Sequence, residues 1–262
     1  MKIGIFDSGL GGITVLNEIY KSFPENNYIY FADLKNMPYG SKSNEDLINI
    51  GVNILKKFEK YNVDEYICAC GTLSSTALPN LESYLLNKNK KIYGIIDPIV
   101  ESVSNFNGKN ILLIATEATI KKGIIEEKIK GSCKDSNVYA KACPEFVDAI
   151  ENHIDDEELL QNITYKYLNM YKNKVDIVVC GCTHYILFEK YIKNVLENVK
   201  IIEAGKSIIK QMQCKVINNN EISKSNNSIL ILQSKQCEKF QSNVKKILKN
   251  SEIIFKIVWI LL

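Results

Sequence analysis

The chain has 262 residues, 46% hydrophobic and 24% charged, which is enough to bury a sizeable core as one large domain or two smaller ones and excludes disorder as the default. Its net charge is only +3, on 33 basic and 30 acidic residues that interleave along the chain, so there is no basic stripe for a nucleic acid to follow. Every basic residue is lysine; a carboxylate ligand must then be held by backbone amides, hydroxyls, amide side chains or a lysine point charge rather than by a bidentate guanidinium fork.

In chain order, short apolar runs at 2–6, 28–31, 65–69, 92–96, 110–115, 138–142, 176–181, 200–202 and 228–232 read as strands. Between them, 13–23, 44–61, 155–172 and 185–198 carry apolar residues at helical spacing. This alternation predicts an α/β protein of two similar domains, each a mostly parallel sheet flanked by helices, with a cleft between them. The expected layout is a discontinuous first domain, 1–97 plus 207–262, and a second domain, 98–206; the Asn-rich run 218–227 reads as a surface connection. The opening run reaches Asp7 too soon for a signal peptide, and the apolar stretch 253–262 is short and broken by Lys256, so neither is expected to be a membrane segment. A cytoplasmic location is expected, with the eight cysteines mostly reduced.

One phrase is written twice, about half the chain apart: Val63-Asp64, three residues, then Cys68-Ala69-Cys70, and Val175-Asp176, three residues, then Cys180-Gly181-Cys182. A strand ending in a thiol in each of two similar halves places one cysteine on either side of a cleft, outside the carboxyl ends of parallel strands where ligands collect. With helices expected to start near Ser74-Ser75 and near His184-Tyr185, the helix dipole would lower both thiol pKa values and make Cys70 and Cys182 better bases. Small buried cysteines are the ordinary alternative, and for Cys68 and Cys180, inside the strands, that alternative is expected. A zinc site would use the same cysteines and His184, but C-x-C gaps are shorter than the usual metal-ligand spacing.

Asp7-Ser8-Gly9-Leu10-Gly11-Gly12 follows the first strand and opens a helix; its glycines would let a ligand approach and its amides would favour an anion, with Asp7 as an acceptor or proton carrier. It meets neither the dinucleotide pattern nor the P-loop pattern. Met37 to Ser43 reads as a rigid loop into a helix capped by Ser43, and Thr116 and Thr119 read as helix caps or ligand hydroxyls. His184, two residues from Cys182, could relay that thiol's proton, whereas His153 is assigned to solvent.

Taken together, Phe6-Asp7-Ser8-Gly9-Leu10-Gly11-Gly12, Pro38-Tyr39-Gly40, Ala69-Cys70 with Thr72, Ala115-Thr116 with Thr119, Cys143-Pro144 leading to Glu151, and Gly181-Cys182-Thr183-His184-Tyr185 resemble the glutamate racemases of the aspartate/glutamate racemase superfamily, along nearly the whole chain. The resemblance implies a cofactor-independent isomerase that interconverts L- and D-glutamate with two cysteines and supplies D-glutamate for peptidoglycan. It implies Cys70 and Cys182 as the acid/base pair, supported by Asp7, Glu151 and His184. It also implies Ser8, Tyr39, Gly40, Gly71, Thr72, Thr119 and Thr183 around the substrate, no metal, and frequent homodimers, although no apolar stripe is assignable to an interface. Gly71 stands where the family usually has Asn, Ile186 where Pro is common, and Glu203-Ala204 where Asp-Pro is common. A sister racemase acting on aspartate or another small amino acid, and a non-catalytic ligand- or metal-binding protein on the same fold, are the competing readings.

Overall fold

The computed structural model describes residues 1–216, 228–248 and 255–260. Its strands are, along the chain, β1 (Lys2–Asp7), β2 (Asn27–Ala32), β3 (Glu65–Cys68), β4 (Lys91–Gly94), β5 (Ile111–Ala115), β6 (Val138–Ala142), β7 (Ile177–Cys180), β8 (Lys200–Ile202), β9 (Ile229–Gln233) and β10 (Phe255–Trp259). The helices are α1 (Gly11–Ser22), α2 (Asn44–Phe58), α3 (Gly71–Leu86), α4 (Ile96–Ser104), α5 (Glu117–Lys122), α6 (Ile124–Ser132), α7 (Glu145–His153), α8 (Glu157–Leu168), α9 (Glu189–Leu196), α10 (Ala204–Val216) and α11 (Glu238–Leu248).

Two sheets result, ordered β10-β9-β2-β1-β3-β4 and β6-β5-β7-β8, and every described pairing is parallel. This is the predicted α/β class: helical crossovers join parallel strands and cover both faces. The chain leaves the first sheet through α4 and heads back towards it through α10, two helices that pack on one another.

Strand alternation sends Ile5 to one face of the first sheet and Phe6 to the other. On Ile5's side a single apolar cluster runs from Ile3 and Ile13 through Ile99 of α4 and Ile208 of α10 to Leu112 and Val178 of the second sheet. On the other side Phe6, Phe31, Phe58 and Leu81 form a smaller cluster beneath α2 and α3.

Several element ends differ from expectation for identifiable reasons. The strand expected over 92–96 stops at Gly94, and Pro98 lies in the first turn of α4, where its missing N–H costs nothing. The helix expected over 155–172 is α8, capped by Asp156, whose carboxylate accepts from the Leu159 amide at 2.9 Å, followed by a 3₁₀ turn at Asn169–Tyr171. The helix expected over 185–198 is split into a 3₁₀ turn, Thr183–Phe188, and α9. Ser43 caps α2 as expected. The edge strand β10, not anticipated, continues the β9 ladder; the run 218–227 lies outside the described residues.

Candidate active site

The two repeated phrases end in the same local geometry. Beyond β3 the Ala69 amide still donates to the Phe6 carbonyl at 2.9 Å, and Cys70, with φ −81° and ψ 122°, is the residue on which α3 begins. Beyond β7 the Gly181 amide donates to the Ile114 carbonyl at 2.8 Å, and Cys182, with φ −129° and ψ 135°, opens the 3₁₀ turn at Thr183. Each turn therefore starts immediately after the thiol, earlier than the expected 74–75 and 184–185. Within α3 the hydroxyls of Ser75 and Thr76 are satisfied by donating to the Thr72 carbonyl, at 3.0 and 2.9 Å.

Both thiols line one cavity of about 400 Å³, as do Asp7, Ser8, Tyr39, Gly40, Gly71, Thr72, Thr119, Thr183 and His184. Of the catalytic and substrate-holding residues that the resemblance implies, only Glu151 is absent from the lining; it stands behind His184. Among the described residues no lysine lines the cavity. Hydroxyl-bearing residues are numerous in the lining, with Ser8, Tyr39, Thr72, Thr119 and Thr183 joined by Ser41 and by Thr116, which also caps α5.

Behind each thiol lies a different polar partner. His184 is 3% exposed; its Nδ1 lies 3.7 Å from the Cys182 sulfur and its Nε2 lies 2.8 Å from Glu151 Oε1. Burial disfavours the imidazolium, yet the Cys182 sulfur and the Glu151 carboxylate outweigh it and hold the His184 pKa well above its ordinary range. The Gly11 amide, 3.2 Å from the same Nε2, can donate only when that nitrogen carries no proton, so the two contacts belong to different protonation states.

Asp7 is 1% exposed and accepts from the Thr183 hydroxyl at 3.0 Å, the Ser8 hydroxyl at 3.1 Å and the Gly9 amide at 3.2 Å. Burial raises its pKa against the nearby His184 and these donors. Cys70 is held well above the ordinary thiol value by burial first and by the Asp7 charge second, with the Leu73 amide opposing. Desolvation thus overrides the helix dipole, and the expected lowering of the Cys70 pKa is corrected. Cys68 and Cys180 are buried inside their sheets; burial pushes Cys68 up to about 12 and Cys180 well above its ordinary value.

A second correction concerns the start of α1. Its amides, expected to face a ligand anion, are engaged by the chain itself: Leu10 donates to Glu151 Oε1 at 2.7 Å. Gly11 is required because a Cβ there would lie 2.5 Å from His184 Nδ1 and would overlap the Thr183 hydroxyl. The glycine run of the first sheet therefore docks the acidic and basic side chains delivered by α7 and by the turn after β7.

Sequence reasoning missed several contributors. Buried Asp33, just beyond β2, accepts from the Tyr39 hydroxyl at 2.9 Å and so orients a cavity residue. Its signal was an acid immediately after a strand that runs into the Tyr39 loop. Lys122 of α5 donates to the Thr76 hydroxyl of α3, and burial lowers its pKa. Val147 joins Pro144, already part of the Cys143-Pro144 phrase, in an apolar wall, and only the folded position of α7 reveals it. At Glu203, where the resembled family tends to have Asp-Pro, the longer side chain caps α10 by accepting from the Gly205 and Lys206 amides at 2.5 and 2.7 Å.

No family model matches the chain. Among relatives, it is 36% identical to a glutamate racemase of Aquifex aeolicus over 214 residues, 81% of this chain and 82% of that one. It is 32% identical to a glutamate racemase of Clostridium botulinum over 256 residues, 95% of this chain and 97% of that one. Among solved structures, a Francisella tularensis glutamate racemase in complex with D-glutamate superposes with a TM-score of 0.85 at 26% identity, covering 98% of this chain and 97% of that one. Identity at this level over four-fifths or more of the sequence, together with the shared fold, means that the chain belongs to the glutamate racemase family.

Proposed function

We propose that this protein interconverts L- and D-glutamate with Cys70 and Cys182 as the two acid/base groups, and that D-glutamate for peptidoglycan is its product. The carrying observation is the pair of thiols delivered to one cavity from the ends of β3 and β7, in separate sheets, each with its own polar partners. One thiolate takes the Cα proton: the C–H bond breaks, an S–H bond forms, and the electron pair moves into the α-carboxylate. The opposite thiol returns a proton to the other face of that carbon, its S–H bond supplying the new C–H bond. Composition is unchanged and the two sulfurs have exchanged protonation states, so no external acid, oxidant or cofactor is consumed.

In this reading His184, held by Glu151, stabilises a thiolate at Cys182, while Asp7 keeps Thr183 oriented and keeps Cys70 protonated until it donates. Ser8, Tyr39, Gly40, Thr72, Thr119 and Thr183 hold the substrate's polar groups without a guanidinium. A mechanism that depends on two reduced thiols belongs in a reducing compartment, and we assign the cytoplasm; the described cysteines are all free. Among the described residues no helix is long and apolar enough to cross a membrane.

The deciding experiment follows glutamate in deuterated water by NMR and polarimetry. The wild type should exchange the α-proton and invert both enantiomers, and Cys70→Ser and Cys182→Ser should each lose inversion by about 10³-fold or more. Faster inversion of aspartate than of glutamate would move the assignment to the sister substrate, and unchanged chirality of both would end the racemase reading.

A further inference from the structure

Gly71 follows one thiol directly and Gly181 precedes the other, and both line the cavity. A Cβ built on Gly71 would lie 2.5 Å from the Gly181 carbonyl oxygen, an overlap that only backbone movement could relieve. Neither backbone is loose. The Gly181 amide is bonded to Ile114 at 2.8 Å, and a Cβ on Gly181 would itself meet Ala115 and Leu113 at 3.0 Å. On the other side, the Ser74 amide is bonded to the Cys70 carbonyl at 2.8 Å, which fixes the first turn of α3. The φ of Gly71 is not positive, so conformation does not demand glycine here; space does.

We infer that Gly71 is a positioning residue whose missing side chain lets the two thiol-bearing backbones touch and so sets the spacing between Cys70 and Cys182. Two-sided proton transfer needs both sulfurs within reach of a single carbon, and a displacement of about 1 Å at such a site costs about 10²-fold in rate. Any side chain at 71, the Asn common in the resembled family included, must push the Gly181 carbonyl away before it can offer a contact to the substrate. The glycine therefore serves a closer approach of the two halves in place of a side-chain contact. This inference rests on the racemase reading for its kinetic consequence, though not for the contact itself.

Gly71→Ala tests it. Alanine is the better helix former at a negative φ, so α3 is not weakened by the exchange itself, and the separation of the strand ends is what changes. Inversion of glutamate should fall about 10²-fold through kcat with KM little changed, while α-proton exchange, which needs only one thiol, should fall far less. Equal loss of exchange and inversion would overturn the inference, as would wild-type inversion in Gly71→Ala or Gly71→Asn. The contact is read independently with a short bifunctional alkylator on the wild type, with Cys70→Ser and Cys182→Ser as controls. Bridging of the two thiols is expected, and failure to bridge overturns the inference even if the variants do not fold. A wild type that is bridged but leaves glutamate untouched would end the racemase reading and leave the contact standing.

Discussion

At the residue scale the two thiols are not equivalent. Cys182 lies 3.7 Å from His184 Nδ1, and its sulfur together with Glu151 holds the His184 pKa well above its ordinary range, whereas Cys70 is buried beside the Asp7 carboxylate, and both effects favour the protonated sulfur. In a two-thiol mechanism one sulfur must be protonated at the start, and activity is lost at alkaline pH when that second proton leaves. Because the Cys70 pKa is raised, thiol is favoured over thiolate up to higher pH, so the alkaline fall in kcat/KM should begin above the ordinary thiol value of 9.0. Asp7→Asn removes a charge that supports the raised value and should move that limb to lower pH. The check is a pH profile for both enantiomers, which must coincide because the equilibrium constant is one; a limb below 9.0, or one that Asp7→Asn leaves in place, would contradict this account.

At the element scale the helix starts carry the site, and they divide into capped and occupied ones. Ser43 accepts from the Asp46 amide at 3.1 Å and in turn donates to the Asp46 carboxylate at 2.7 Å, an exposed cap that fixes the entry of α2 after the Tyr39 loop. Ser43→Ala should cost about 1 kcal/mol in chemical denaturation, with little effect on turnover; a loss near zero would mean that the α2 entry is fixed by packing alone. This cap was legible in the sequence, as were the strands of both sheets other than β10 and the thiols at their ends, because strand periodicity and capping are local properties. What was not legible is where helix starts point. The glycines after β1 look the same whether they approach a ligand or Glu151, 141 positions away, and a thiol at a helix start looks activated until its burial is known. Gly71 likewise reads as a missing side chain until the Gly181 carbonyl is seen against it.

At the scale of the whole molecule, two sheets that could have been separate units share one interior. The apolar cluster from Ile3 to Val178 passes through α1, α4 and α10, and polar ties such as Leu10 to Glu151 and Thr183 to Asp7 cross between the halves above it. Neither half can expose its share of that interior without uncovering the other's, so unfolding in urea should proceed as one transition, with ellipticity and tyrosine fluorescence superimposable. Two resolved transitions would show that the halves are independent. The catalytic gap lies between elements anchored in this common interior, and its assembly has no cooperative unit of its own. The rate of D-glutamate formation at each denaturant concentration, once corrected for direct inhibition, then becomes a thermometer for the fold: the remaining activity reports the fraction of molecules still native.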